Sequence, residues 1–358
     1  MTTLGSGNGR APEGAGGVPP LLSETSSGGV PPQTDVQREA RERAYNLYCA
    51  AIGACLSRGD AARAGVLLDE EARLPFFSPD QLDRINAELP VTVAELRRDP
   101  VRAPEGATSE DPGRDLDWDE LEALFDLALR SRLTGPARER PRVLLLGGQP
   151  GSGKSTLQRL LLPVLPEGTV SYDGDDLLRL APDYEWAMGA DDRVASRTLG
   201  RQVGGLHQLA MEHVREGRVD VVCSHPLGRA DWAAAWVEGF RSAGYRVEVA
   251  FVATHSSNSA FGIVDRHARA RRDQGFGRWI TPRDHDRFYM GVPNTVEFLE
   301  THRLVDSLFV LSRLGEVLYA NHLTGEGDWR SEPFGRIALE AERGRRELWH
   351  TREAGDGA

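Results

Sequence analysis

The sequence predicts an α/β fold in which a parallel sheet carries helices on both faces, preceded by a small all-helical N-terminal unit. Three observations lead there. The apolar run Val143-Leu144-Leu145-Leu146 leads straight into the glycine-rich stretch Gly147 to Thr156 and then into a helical pattern, which reads as strand, loop and helix. Downstream, short apolar segments alternate with longer segments of helical period as far as Ala320, the pattern of a parallel sheet covered on both faces. Upstream, residues 36–98 carry helical period alone.

Composition narrows the class. Hydrophobic residues make up 40%, while Gly 39, Pro 21 and a mean hydropathy of -0.42 point to a globular enzyme with some unstructured sequence. No apolar run approaches the roughly 20 residues of a membrane span, and MTTLGSGNGRAPEGAGGVPP lacks the apolar core of a signal peptide. The chain is therefore expected in the cytoplasm and away from membranes. Cys49, Cys55 and Cys223 are too few and too scattered for a disulfide framework or a zinc site. A net charge of -11 argues against nucleic acid as the partner, because a phosphate backbone would be repelled.

Taken in order, residues 1–35 are Gly, Pro, Ser and Thr with few large apolar groups, and are expected to form a disordered tail. A helix follows through Val36, Ala40, Ala44, Leu47, Tyr48, Ala51 and Cys55 to the stop at Gly59. Asp60 caps a second helix to about Leu74, Ser78-Pro79-Asp80 opens a third, and a short fourth is expected after Pro90. Residues 99–115, rich in Pro and charge, read as a linker. Residues 116–336 form the nucleotide-binding domain, opened by an amphipathic helix through Trp118, Leu121, Leu124, Phe125 and Leu129. Strands are expected at Val143 to Leu146, Thr169 to Tyr172, Val219 to Cys223, Arg246 to Val252, Ser307 to Leu311 and Val317 to Ala320. Helices are expected after the glycine-rich loop and at Ala195 to Gly217, Ala230 to Ala243, Ser257 to Arg272 and Pro282 to Arg303. Residues 337–358 read as a charged helix and tail.

The loop fits G-x-x-x-x-G-K-[ST], with Gly148, Gly153, Lys154 and Ser155 in the fixed places and Gln149, Pro150, Gly151, Ser152 and Thr156 around them. Its glycines let successive N–H groups turn inward on a phosphate, and the following helix adds the positive end of its dipole. Lys154 would reach the β- and γ-phosphates, and the Ser155 hydroxyl would hold Mg²⁺. Among 43 Lys+Arg, Lys154 is the only lysine, so a compact ammonium is required where a guanidinium fork would not fit. After the second strand comes Asp173-Gly174-Asp175-Asp176; at the mouth of such a sheet one carboxylate can take a proton from a substrate hydroxyl and another can help hold Mg²⁺, although helix capping accounts for one of the three. Arg266 and Arg278 belong to an arginine-dense span with a Gly275-Phe276-Gly277 joint, suited to a lid that neutralises a phosphoryl group in transfer.

These residues in this order resemble the zeta toxins, P-loop kinases that phosphorylate UDP-N-acetylglucosamine and so starve cell-wall synthesis. The resemblance covers Val143 to Ala320, about half the chain. Gly147 to Ser155 looks like the family's G-Q-P-G-x-G-K-T/S loop, and Asp173-Gly174-Asp175 like its D-x-D, which implies that Asp175 is the general base. Arg266 and Arg278 match the two lid arginines that contact the ATP phosphates. Gly228-Arg229 resembles the strand–loop G-R, and Thr281-Pro282, His285-Asp286 and Asn294 resemble later landmarks. Ala181-Pro182 stands where the family has His-Pro. The fold implied is P-loop kinase-like, with ATP and Mg²⁺ as cofactors.

One departure bears on the acceptor. The family has glutamates at the end of the third strand and on the preceding helix, whereas this chain has Cys223-Ser224-His225 and His207-Gln208. Asp173, His225 and Arg229 are the candidate acceptor contacts, and His225 could hydrogen-bond a hydroxyl or diphosphate. Two other readings stay open: a P-loop kinase for another nucleotide-linked metabolite, or a nucleotide-dependent regulatory ATPase. Zeta toxins are blocked by a small helical antitoxin over the ATP site, so residues 36–98 are a candidate antitoxin-like unit acting in cis, beside an antitoxin in trans.

Overall fold

The computed structural model describes residues 20–22, 34–108, 110–111 and 113–345. Most of the tail expected at 1–35, and residues 346–358, lie outside the described residues. Within the former, Leu21 and Leu22 are buried, and their N–H groups donate to the Glu248 carboxylate at 2.9 to 3.3 Å. Their side chains join Leu144, Leu146 and Val252 on one face of the sheet.

Three helices open the N-terminal unit: α1 (Asp35–Leu56), α2 (Ala61–Ala72) and α3 (Pro79–Leu96). Each start has a chemical cause. Thr34 and Gln37 form a reciprocal capping box on α1, Asp60 accepts the Arg63 N–H on α2, and Ser78 and Gln81 box α3 behind Pro79. The separate helix expected after Pro90 does not exist: α3 runs through it. Pro90 forfeits one backbone bond, but Leu89 and Val93 on either side of it are both buried in the core, and that burial keeps the helix continuous.

After the linker come α4 (Trp118–Ala128), β1 (Arg142–Gly147), α5 (Lys154–Leu161), β2 (Val170–Asp173), α6 (Tyr184–Asp191), α7 (Ala195–Gln202) and α8 (Gly204–Gly217). The expected single helix over Ala195 to Gly217 is therefore two. The backbone leaves helical geometry at Val203, and Gly205 lies against α4, where a Cβ would meet Leu121 Cδ1 at 2.6 Å. Helix α6 was not anticipated, because its 8 residues make barely two turns, too short for a helical period to show. The chain continues with β3 (Val221–Ser224), α9 (Ala230–Ser242), β4 (Arg246–Ala253), α10 (Ser256–Gln274), α11 (Pro282–Thr301), β5 (Ser307–Ser312), β6 (Val317–His322) and α12 (Gly335–Arg343). The boundary drawn at 336/337 falls inside α12, whose Leu339 is fully buried in the domain core.

The six strands form one sheet in the order β2-β3-β1-β4-β5-β6. All neighbours are parallel except β5 and β6. A parallel crossover needs about a dozen residues or more, and only residues 313–316 separate these two strands. In β1, Val143 and Leu145 enter one core cluster while Leu144 and Leu146 enter the other, which is the period-2 signature of a strand covered on both faces. The first cluster also holds Leu47 and Ile52 of α1 and Leu68 of α2, so the N-terminal helices share a continuous core with the sheet. Among the described residues no helix is long and apolar enough to cross a membrane.

Candidate active site

Strand β1 ends at Gly147, and the loop turns back over the sheet's C-terminal edge. Gly148, Gly151 and Gly153 all have positive φ, at 144°, 76° and 103°. At Gly151 the requirement is also one of space: a Cβ would lie 2.0 Å from the Ser259 carbonyl of α10. Gly148 N–H donates to Pro226 O at 3.1 Å, and His225 N–H to Leu146 O at 2.9 Å, so the segment after β3 runs beside the loop.

Lys154 opens α5, and its ammonium donates to Gly148 O at 2.8 Å and Gln149 O at 3.0 Å. Burial lowers its pKa to about 8, against the opposing pull of Asp175 and Asp173. Gln149 is turned inward rather than into the loop's hollow. Its amide donates to Thr254 O at 2.7 Å and its carbonyl accepts from Arg343 of α12 at 2.7 Å. Ser152 is fully buried, whereas Thr156 is exposed. Gln149 and Ser152 therefore brace the loop, and a phosphate would be met by backbone N–H groups, Lys154 and Ser155.

Asp173 ends β2, and its carboxylate accepts the Asp175 N–H at 3.0 Å. Burial, then the charges of Asp175 and Asp176, push its pKa up to about 6, while a hydrogen bond with Ser155 pulls the other way. A 3-10 helix spans Gly174–Leu180, tight enough to carry Asp175 back over the loop. The Asp175 side chain remains 42% exposed, so an incoming hydroxyl can reach it. Burial would raise its pKa, but the Arg278 guanidinium in direct contact, with Arg266 at 3.8 Å and Lys154, holds it well below the usual carboxylate range. Arg266 lies on α10 and Arg278 beyond the Gly275 turn, so the lid brings both to one carboxylate. Nε and Nη2 of Arg266 are buried and have no hydrogen-bond partner among the described residues.

These features fit a nucleoside triphosphate and its Mg²⁺: a loop of three positive-φ glycines, a lysine at its mouth, a Ser155–Asp173 pair beside it, and unsatisfied arginine donors. Among the described residues no group of three or more His, Cys, Asp or Glu could hold a metal ion by itself. A divalent ion here would lean on Ser155, the acidic side chains and the phosphates.

On the other side of Asp173 the structure joins the two acceptor-side histidines to Tyr172 and two tryptophans that the sequence left unassigned. His207 of α8 shares a 2.6 Å hydrogen bond with Tyr172 of β2. Its ring lies 4.6 Å from Trp236 of α9; His225 lies 4.5 Å from Trp236 and 5.4 Å from Trp232. Burial lowers the pKa of His207 to about 4 and of His225 to about 3, so both imidazoles are neutral near pH 7. Arg229 is exposed, ion-paired with Asp231, and 6.0 Å from the Trp232 ring. The sequence placed His207 and His225 on the acceptor side through the departure from the family pattern, but left out Trp232 and Trp236, whose i, i+4 spacing on one face of α9 could have signalled them.

The N-terminal unit reaches the same region. The Tyr45 hydroxyl of α1 bonds the Asp176 carboxylate, with the Arg159 guanidinium 4.4 Å above its ring. Asn46 donates to Asp273 at 3.0 Å, and Glu39 pairs with Arg269 at 2.6 Å, both on α10. Arg179, in the turn after Asp175, donates to Cys49 at 3.1 Å and Glu71 at 3.0 Å. Nothing in the sequence pattern marked these contacts.

Comparison with known proteins agrees with this geometry. The Zeta toxin family model matches residues 127–324. Toxin zeta of Streptococcus agalactiae is 22% identical over 204 residues, covering 57% of this chain and 70% of that protein. Toxin zeta of Streptococcus pyogenes is 21% identical over 186 residues, covering 52% and 65%. The chain thus spans about two thirds of the length of these curated relatives. A chain from the characterization of the PezAT chromosomal toxin–antitoxin system of Streptococcus pneumoniae superposes with a TM-score of 0.56 at 18% identity, covering 67% of this chain and 96% of that one, which shows a shared fold. With more than half of its length matched by the family model and the phosphate loop, acidic turn and lid arginines assembled at one sheet edge, the chain belongs to the zeta toxin family.

Proposed function

We propose that the chain is an ATP- and Mg²⁺-dependent kinase that phosphorylates a sugar hydroxyl of a nucleotide-linked acceptor, UDP-N-acetylglucosamine being the leading candidate by family, and that it acts as the toxin of a toxin–antitoxin system in the cytoplasm. One observation carries this reading: Asp175 stands half-buried, with its carboxylate still reachable, between Arg266 and Arg278 beside the Lys154 loop. A hydrolase or switch needs the loop, but an accessible carboxylate paired with two lid arginines also supplies a base for an acceptor hydroxyl.

The ion pair also suggests the order of events. While Arg278 sits on Asp175 the carboxylate is a weak base. A triphosphate in the loop gives both guanidiniums a stronger partner, drawing Arg278 away and satisfying the orphaned donors of Arg266. Asp175 is then free to accept the hydroxyl proton. Lys154 exchanges its loop carbonyls for β- and γ-phosphate oxygens, and bound Mg²⁺ would offset charge on the same oxygens. Calorimetry with a non-hydrolysable ATP analogue tests the donor half. The wild-type protein is expected to bind it at 1:1 stoichiometry, and Lys154→Ala to weaken it about 100-fold through loss of a buried charge-assisted contact; equal affinity in the two proteins would contradict the assignment.

We further propose that residues 36–98 act as an antitoxin-like inhibitor in cis. Helix α1 touches both the acidic turn, through Tyr45 and Asp176, and the lid helix, through Asn46 and Glu39. Those contacts tie the lid helix to α1, so a movement of α10 toward a bound nucleotide would have to loosen them.

A further inference from the structure

We propose that Asp192 is a positioning residue for phosphoryl transfer: its buried carboxylate clamps the lid joint, so that Arg278 is delivered to the site beside Arg266. The proposal rests on the kinase reading above and extends it to a side chain in the corner between α6 and α7.

The joint needs a clamp. Arg278 follows Gly275-Phe276-Gly277, and Gly275 takes the left-handed φ of 93° that ends α10. Glycine has the most backbone freedom of any residue, so two glycines in these three positions leave the direction of Arg278 unfixed by the chain itself. Asp192, only 5% exposed at the C-terminus of α6, accepts the Gly277 N–H at 2.9 Å, one residue before Arg278. The same oxygen lies 3.2 Å from Nε2 of His267, the residue after Arg266 on α10, at an angle that makes no hydrogen bond. Its second oxygen lies 3.7 Å from Arg271, also on α10. One carboxylate thus ties the backbone before Arg278 to the helix that bears Arg266.

The α6–α7 corner grips the joint on both sides of Arg278. The buried Phe276 ring stands edge-on to Tyr184 of α6 at 5.5 Å. The Ser196 hydroxyl of α7 donates to Trp279 O at 3.4 Å, and the Arg193 guanidinium lies 5.5 Å from the Trp279 ring. At Gly277 the backbone packs directly on α10, where a Cβ would stand 2.7 Å from His267 O. Residues 276, 277 and 279 are therefore held, and Arg278 between them reaches Asp175.

Asp192 is the centre of this grip for a chemical reason. A hydrogen bond from a backbone N–H to a carboxylate is charge-assisted and about twice as strong as a neutral one. Burying a carboxylate is costly unless it is paired, and the three partners here, Gly277, His267 and Arg271, all belong to the lid helix or its joint. The guanidinium that meets the phosphoryl group must be placed to within about 1 Å, an error of that size being worth about a hundredfold in rate.

The test is a double-mutant cycle between Asp192→Ala and Arg278→Ala in the full chain. Phosphoryl transfer from ATP to UDP-N-acetylglucosamine is one readout, and hydrogen exchange over residues 275–280 of the unliganded protein is the other. Asp192→Ala is expected to lower kcat about ten- to a hundredfold when Arg278 is present, and by less than about threefold when Arg278 is alanine. Exchange over 275–280 should rise while the sheet stays protected. Asp192→Asn keeps an oxygen for the Gly277 N–H, so its loss should be smaller, at least about threefold, and equally dependent on Arg278; it replaces the alanine variant in the cycle if that protein melts below the assay temperature. A role in stability alone would lower kcat by the same factor in both backgrounds. Equal loss in the two backgrounds, unchanged kcat, or unchanged exchange over 275–280 each overturns the assignment. A wild-type chain that transfers no phosphate would instead strike the kinase reading, and the exchange would still decide whether Asp192 holds the lid.

Discussion

Asp175→Asn is expected to lower phosphoryl transfer to the acceptor by roughly 10²- to 10⁴-fold, the weight of a positioned general base. Affinity for an ATP analogue should change little, and in the direction of tighter binding. The asymmetry follows from the ion pairs. In the free protein Asp175 competes with the triphosphate for Arg278, in direct contact with it, and for Arg266 at 3.8 Å. Removing the carboxylate charge releases both guanidiniums to the phosphates while removing the acceptor of the hydroxyl proton. Asp173 is placed for another task, its carboxylate being turned onto the Asp175 N–H and the Ser155 hydroxyl. Steady-state transfer from γ-labelled ATP, measured beside analogue binding, checks both halves. An Asp175→Asn protein that transfers phosphate at near wild-type rate would remove Asp175 from the role assigned to it.

Tyr45→Ala is expected to raise the rate of transfer by at least about tenfold. The hydroxyl bonds a carboxylate and the ring lies under Arg159. A hydrogen bond to a charged group contributes about 1.5–3 kcal/mol and a cation–π contact about 0.5–1 kcal/mol or more, and each 1.4 kcal/mol is a factor of ten in the balance between docked and open states. Tyr45→Phe keeps the ring and loses the hydroxyl, so it should fall between the two. Point variants suit this test better than deletion of residues 1–98. Leu47 and Ile52 of α1 sit in the same core as the sheet, and a truncated chain would expose that apolar surface. Rates of transfer, with hydrogen exchange in α10 as a second readout, check the prediction. A Tyr45→Ala protein with unchanged rate and unchanged α10 protection would count against inhibition in cis.

The legible parts of this protein were those in which backbone geometry dictates residue type. The phosphate loop needs glycine at Gly148, Gly151 and Gly153 because their φ values are positive, so the pattern is written in the sequence. Asp173-Gly174-Asp175 could be placed because a strand end fixes its neighbourhood, and Arg266 and Arg278 because they flank a glycine-bearing joint. The structure brings all of these to one sheet edge. Less legible was whatever depends on residues distant in sequence. His207, His225 and Trp236 come from two helices and a loop and share no spacing rule. The docking of α1 through Tyr45 and Asn46 uses ordinary surface residue types, so no pattern announced it. Arg343 of α12 reaches the buried Gln149 from 194 residues away. Secondary-structure errors had local causes: Pro90 was outweighed by flanking burial, Gly204-Gly205 by the approach of α4, and the direction of β6 is a matter of connection length rather than of strand composition.

The central claim is that this site moves a phosphoryl group from ATP to a nucleotide-linked hydroxyl. Its most direct test is the mass of the acceptor after incubation of the full chain, and of the Tyr45→Ala protein in which α1 docking is loosened, with ATP and Mg²⁺. UDP-N-acetylglucosamine stands first in a panel of sugar nucleotides and dinucleotides. The account predicts that at least one base-bearing acceptor gains a single phosphate, and that none does so with Asp175→Asn. ATP turned over to ADP and inorganic phosphate, with every acceptor mass unchanged, would contradict it.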